Sequence, residues 1–118
     1  MIGVAPPMMT ASAFDRLAGE ALEELALEIE SKLGDRLEVE LREGILTVDL
    51  EDGGRYQINK HVPMRQLWLA SPKSGAWHFA CGAAGGPWIS TRDPSTTLGS
   101  LLRDELRAAT GVFLDLTL

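Results

Sequence analysis

The feature that most constrains the fold is a change of hydrophobic period near residue 35. Upstream, Phe14, Ala18, Ala21, Leu22, Leu25, Ile29 and Leu33 recur at three- and four-residue spacing, the mark of a helix with one buried stripe. Downstream, Leu37, Val39 and Leu41 alternate with Glu38, Glu40 and Arg42, and Leu46, Val48 and Leu50 alternate with Thr47 and Asp49. Side chains along a strand point to opposite faces in turn, so this alternation marks strands with one face in a core and one in water.

The turns divide the rest. The first helix is predicted over about Phe14–Leu33, with Ser12 or Thr10 as N-cap and Gly34 as its stop. Glu43-Gly44 and Asp52-Gly53-Gly54 read as hairpin turns. Tyr56 and Ile58 then alternate with Gln57 and Asn59, Pro63 breaks the chain, and Gln66–Ala70 forms a fourth strand. Ser71–Gly75 turns into Trp77–Ala80, and the loop Gly82–Pro87 leads to Trp88–Ser90. A second helix is predicted from about Thr97 to Ala109, capped by Ser95 or Thr96, with Leu98, Leu101, Leu102 and Leu106 as its stripe. The tail Val112–Leu118 carries enough apolar residues to pack along the helices. Residues 1–11 read as a flexible N-terminal tail and 12–118 as a single domain. The connections are too short for parallel crossovers, so the strands are antiparallel. The class is α+β: a two-layer α-β sandwich with the N- and C-terminal helices packed on one face of the sheet.

Composition narrows the function. No run approaches the roughly 20 apolar residues of a membrane span, which argues against a membrane partner. The lone Cys81 cannot form an intramolecular disulfide and fits a reducing compartment. The start, MIGVAPPMMTASA, has neither a basic leader nor an Arg-rich amphipathic pattern. The expected location is therefore cytoplasmic in a bacterium, with the mitochondrial matrix as the alternative for a processed form. Residues 1–54 hold 13 Asp/Glu against 4 Lys/Arg, whereas residues 55–118 hold 4 against 7. The acidic half repels phosphates, so nucleic acid is disfavoured as a partner, and it attracts cations or basic protein patches.

Two constellations carry chemistry. At 100° per residue, Glu20, Glu23, Glu24, Glu28 and Glu30 fall opposite the buried stripe, with Leu27 exposed among them. Asp35 follows the helix, and Glu38 and Glu40 begin the sheet. Carboxylate oxygens suit hard cations. Like charges three or four apart cost a helix about 0.2–0.5 kcal/mol per pair, which a cation or basic partner would relieve. The bland alternative is a solvated helix face. No histidine joins these acids locally, so any metal binding would be weak, multi-site and hydrated. The second constellation is the sheet's solvent face, where alternation places Gln57, Asn59, Gln66 and Trp68, and His78 if Trp77 and Phe79 point inward. A tryptophan there reads as an interface anchor, the alternative being cover by the Gly82–Pro87 loop. His78 and Cys81 are three apart on a strand and point to opposite faces, so they do not chelate together. The Gly82–Pro87 run does not join a strand to a helix and is no phosphate cradle. No Ser or Cys stands in a nucleophile motif, and no Glu-x-x-His pair marks a di-iron site.

The run Gly54-Arg-Tyr-Gln-Ile-Asn-Lys60, then Gln66-Leu-Trp-Leu-Ala-Ser-Pro72, then Ser74-Gly75, resembles the central signature of the frataxin family, called CyaY in bacteria. The acidic first helix, the Gly44–Val48 strand and the closing Leu98–Leu106 helix resemble it in the same order, so the likeness covers roughly residues 13–110. The resemblance implies an iron-binding protein of iron–sulfur cluster assembly, an iron chaperone or regulator that docks on the cysteine desulfurase and the scaffold protein. It implies Fe²⁺ and Fe³⁺ at Glu20, Glu23, Glu24, Glu28, Glu30, Asp35, Glu38 and Glu40, with no organic cofactor. It implies partner contacts at Asn59, Lys60, His61, Arg65, Gln66, Trp68 and His78. The alternative within the family is a ferroxidase that oxidises Fe²⁺ with O₂ and stores it. The expected state is a monomer, or an oligomer driven by iron. The chain departs from the pattern at Gly19, where many members carry an acid, at His61, where a Gln is common in mitochondrial members, and at Arg65, where a Lys is common.

Overall fold

The computed structural model describes residues 9–82 and 84–118. The elements are α1 (Ala11–Leu33), β1 (Glu38–Arg42), β2 (Ile45–Asp49), β3 (Arg55–His61), β4 (Gln66–Ser71), β5 (Gly75–Gly82), β6 (Gly85–Ser90) and α2 (Leu98–Thr110). The six strands form one antiparallel meander in sequence order. Both helices lie on one face, giving the expected two-layer sandwich. Residues 1–8 of the expected tail lie outside the described residues, and its last positions are structured. Met9 is buried in the core, and Thr10 caps α1 by accepting the Ala13 N–H at 3.1 Å.

The core is built by the periods read in the sequence. Phe14, Ala18, Ala21, Leu22, Leu25, Ile29 and Leu33 are all buried on α1, and Leu27 is 72% exposed. From the sheet come Leu46, Val48, Tyr56, Ile58, Leu67, Leu69, Phe79 and Trp88. Burying each large apolar side chain contributes about 1.5–3 kcal/mol against the entropy of ordering it. Phe14 meets Trp88 edge-on, with centroids 6.1 Å apart, and ties the start of α1 to β6. Leu41 is the exception to the alternation: it lies at the edge strand and is 37% exposed. The C-terminal tail closes the helical layer, with Leu114 and Leu116 buried. It passes so near α2 that a Cβ on Gly99 would stand 2.7 Å from the Leu118 carbonyl oxygen, and the Gly99 N–H donates to that oxygen at 2.9 Å. Only glycine permits that approach.

Local chemistry moves several boundaries. Thr97, not Ser95 or Thr96, caps α2: it and Ser100 exchange backbone and side-chain hydrogen bonds in a capping box. Ser95 and Thr96 are engaged instead by Asp93. Gly34 ends α1 as expected, in right-handed geometry (φ −63). The Glu43–Gly44 turn has φ +52 and +76, the two-residue hairpin whose twist matches its strands. The edges are guarded against further pairing. On β1 the guards are Glu38, Glu40 and Arg42; on β6 they are Pro87 and the Ile89–Thr97 bridge.

Candidate functional site

The acidic residues occupy a ridge that runs along α1 and wraps around the β1 edge. Angular order around the helix, at 100° per residue, is Glu30, Glu23, Glu20, Glu24, Glu28. One border faces β1 and the other the C-terminal tail. Glu30, Glu38 and Glu40 line one open groove of about 500 Å³. Asp49 joins them there, because antiparallel register sets it opposite Glu38. Alternation alone placed Asp49 on the solvent face; only the pairing of β1 with β2 brings it to the ridge. Arg55 donates to Asp49 at 2.5 Å and holds its carboxyl below the usual aspartate range. Among the described residues, Glu23, Glu24, Glu30, Asp35 and Glu38 make no ion pair, while Glu20 pairs with Arg16 at 3.7 Å and Glu40 with Arg42 at 2.8 Å, both in exposed settings.

Glu28 is set apart from the others. Its Oε2 accepts from Lys32 Nζ at 2.5 Å and from the Asp115 N–H at 2.7 Å. The Lys32 hydrogen bond first, then the Asp115 amide, hold this carboxyl below its ordinary value. Glu24 lies 3.5 Å from the Thr117 hydroxyl. These two acids therefore border the tail as well as the ridge. Among the described residues no three His, Cys, Asp or Glu converge on a single point that could hold a metal ion. What the ridge offers a cation is oxygen donors at several separate, exposed places.

The second constellation is on the other face of the sheet. Trp68 pairs with Asn59 on β3 and with His78 on β5. Its ring lies between two imidazoles: His61 at 3.7 Å with planes 6° apart, and His78 at 4.2 Å with planes 4° apart. These rings stack on the two faces of the indole. The indole N–H donates to Gln66 Oε1 at 2.9 Å. Of the seven residues expected on this surface, Asn59, His61, Gln66, Trp68 and His78 share it. Lys60 does not: it points to the helical side, where its Nζ meets Asp15 at 2.8 Å and lies 3.7 Å from where a Cβ on Gly19 would stand. Arg65 is in the β3–β4 turn at φ +54, its guanidinium donating to the Met9 and Val62 carbonyls.

A third polar group escaped the sequence reading. Glu105 of α2 accepts from the hydroxyls of Tyr56 (2.9 Å), Ser71 (2.7 Å) and Ser74 (2.5 Å). The Trp77 N–H donates to Ser74, and the Arg92 guanidinium lies 3.8 Å above the Trp77 ring. Burial and the Glu105 carboxylate push the Tyr56 phenol well above its ordinary value. Burial also pushes the Cys81 thiol up, which fits a half-buried residue packed on the core.

Comparison with known proteins gives this geometry a family. The family model described as "Frataxin-like domain" matches residues 7–112. The chain belongs to the frataxin family. It is 35% identical over 104 residues to "Iron-sulfur cluster assembly protein CyaY" of Neisseria meningitidis, covering 88% of this chain and 92% of that protein. It is 38% identical over 82 residues to "Frataxin homolog, mitochondrial" of Schizosaccharomyces pombe, covering 70% of this chain and 50% of that one. The chain thus spans half the length of the fission yeast relative and nearly all of the bacterial one. A frataxin from Psychromonas ingrahamii shares the fold, with a TM-score of 0.78 at 22% identity over 91% of this chain and 97% of that chain. A trimeric frataxin from Saccharomyces cerevisiae, complexed with ferrous, superposes with a TM-score of 0.62 at 30% identity over 94% of each chain.

Proposed function

We propose that this frataxin binds iron loosely along its acidic ridge and works in iron–sulfur cluster assembly, with the ridge docking on the cysteine desulfurase and the Trp68 face on the scaffold protein. The observation that carries the reading is the one-sided set of carboxylates: Glu23, Glu24, Glu30, Asp35 and Glu38 are exposed and, among the described residues, without a cationic partner. Such an array repels itself unless cations or a basic surface neutralise it. Oxygen donors held apart on a rigid helix and strand suit a hydrated ferrous or ferric ion, which keeps most of its water. Iron bound this way is cargo that can leave. The names of the bacterial and yeast relatives support the assembly role, and the ferrous complex of the yeast trimer supports iron as the ion and an oligomer as one state of the protein. The same kinship supports a bacterial cytoplasm or a mitochondrial matrix as the place of work.

Glu28 is the weakest member of the proposed iron set, since Lys32 and the Asp115 amide already occupy one of its oxygens. Glu20, Glu23 and Glu24 are the residues to test. Reversing all three to Lys changes the charge of the helix face by six without touching a buried side chain. Anaerobic calorimetry with Fe²⁺, and binding to the desulfurase, should both weaken by tenfold or more, each tenfold being about 1.4 kcal/mol. Unchanged titrations against both would overturn the proposal.

A further inference from the structure

The turn between β3 and β4 is closed by the Arg65 N–H on the Val62 carbonyl at 3.1 Å and gains a second anchor from an imidazole that also forms part of the Trp68 stack. His61 Nδ1 accepts the Met64 N–H at 3.3 Å, so this nitrogen carries a lone pair and the ring's proton is on Nε2. The same ring lies flat on Trp68 at 3.7 Å. The turn it anchors contains Arg65 at φ +54, and its Val62 and Met64 side chains are 42% and 53% exposed. Histidine is the side chain whose charge changes within the physiological pH range.

We propose that His61 is a proton switch for the Trp68 face: a proton taken from solvent onto Nδ1 abolishes the Met64 hydrogen bond, loosens the Val62–Arg65 turn and converts the stack from neutral to cationic. The step is a simple protonation. Nδ1 becomes a donor, two N–H groups cannot bond to each other, and the exposed Met64 amide turns to water. The ring remains on Trp68, because an imidazolium over an indole face gains a cation–π attraction that the neutral ring lacks. Attachment therefore passes from the turn to the tryptophan.

Among the described residues the ring makes no ion pair; the carboxylate on its β2 side is Glu43 of the β1–β2 turn, which lines a groove with Asn59 and Val62. On its own strand the same face carries Asn59, and Lys60 points away to Asp15. On β4 it meets Gln66 and Trp68, and on β5 the second imidazole, His78, lies across the indole. In the turn, the Arg65 guanidinium is occupied by the Met9 and Val62 carbonyls. The consequence for docking rests on the reading of this face as the partner surface; the switch itself needs only this chain.

The test follows the Met64 amide and the His61 ring of the full chain by NMR from pH 8 to pH 5, with two variants. His61→Asn keeps an acceptor where Nδ1 stood but cannot titrate. His61→Phe keeps the stack but has no acceptor. The native Met64 resonance should shift with the same midpoint as the His61 ring, should hold its high-pH position throughout in His61→Asn, and should hold its low-pH position throughout in His61→Phe. A Met64 amide that ignores the titration of His61, or that titrates alike in native and His61→Phe proteins, overturns the proposal. Neither readout involves a partner, so a failure of the docking reading leaves this result intact.

Discussion

Replacing Trp68 by alanine separates a surface anchor from a core residue. The indole is half-buried, stacked on two imidazoles and bonded to Gln66. Each stack contributes about 0.5–1 kcal/mol in a setting where water competes. The N–H bond contributes about 0.5 kcal/mol, because water replaces Gln66 in the unfolded chain. Trp68→Ala should therefore cost about 1.5–2.5 kcal/mol. Phe79, fully buried on the opposite face of the same sheet, should cost about 3–5 kcal/mol when cut to alanine, since its loss leaves a cavity. Urea unfolding of the two variants beside the native protein measures both numbers. A domain of this size loses about 3–5 °C in Tm per kcal/mol, so thermal scans should separate them too. Trp68→Ala should also weaken binding to the scaffold protein while leaving the fold intact. A Trp68→Ala loss equal to that of Phe79→Ala would place the indole in the core. A loss under about 0.5 kcal/mol would mean that the stack is absent in solution.

Two further outcomes follow from the polar groups. Glu28→Gln should lower stability at neutral pH by about 1 kcal/mol, because it weakens charge-assisted bonds to Lys32 and to the tail at a largely solvated site. Its carboxyl titrates lower in the folded chain than in the unfolded one, so its contribution is present above the ordinary glutamate value and vanishes as pH falls through the lowered one; the acid limb of a stability–pH curve should flatten in the variant. Tyr56 is shifted in the opposite sense: its folded phenol resists ionisation, so native stability should hold up to about pH 10 and decline beyond it as the unfolded chain sheds the proton more readily. Tyr56→Phe should remove that alkaline decline at a cost of about 1 kcal/mol at neutral pH, read by denaturant unfolding across the pH range.

Much of this architecture could be read from two periods and a handful of turns. The α1 stripe is buried residue for residue, and Leu27 is exposed, because a helix pressed on a sheet has only one way to hide Phe14, Leu22, Leu25 and Ile29 together. Alternation likewise put Trp68 outside and Phe79 inside. What escaped detection depends on pairings between distant segments. The family resemblance sets Lys60 beside its neighbour Asn59, yet the strand period that turns Asn59 outward turns Lys60 to α1 and Asp15. Glu28 looked like any other ridge acid until the tail, 87 residues on, brought an amide to it. The ring of His61 reaches Trp68 diagonally, two positions off the direct partner, which requires the β3–β4 register. Glu105 gathers hydroxyls from β3, from the end of β4 and from the β4–β5 turn. Its place on α2 gives no local signal, since a glutamate in a helix is the commonest of solvated residues.

The most direct test is a backbone NMR titration of the intact chain with Fe²⁺ under anaerobic conditions. The account predicts broadening and shifts confined to α1, β1 and the end of β2, strongest around Glu20, Glu23, Glu24, Glu30, Glu38 and Glu40, with Asp49 of β2 joining through the shared groove. The Trp68 face should stay silent. Signals that do not respond along the ridge, or perturbation centred on His61 and His78, would contradict it.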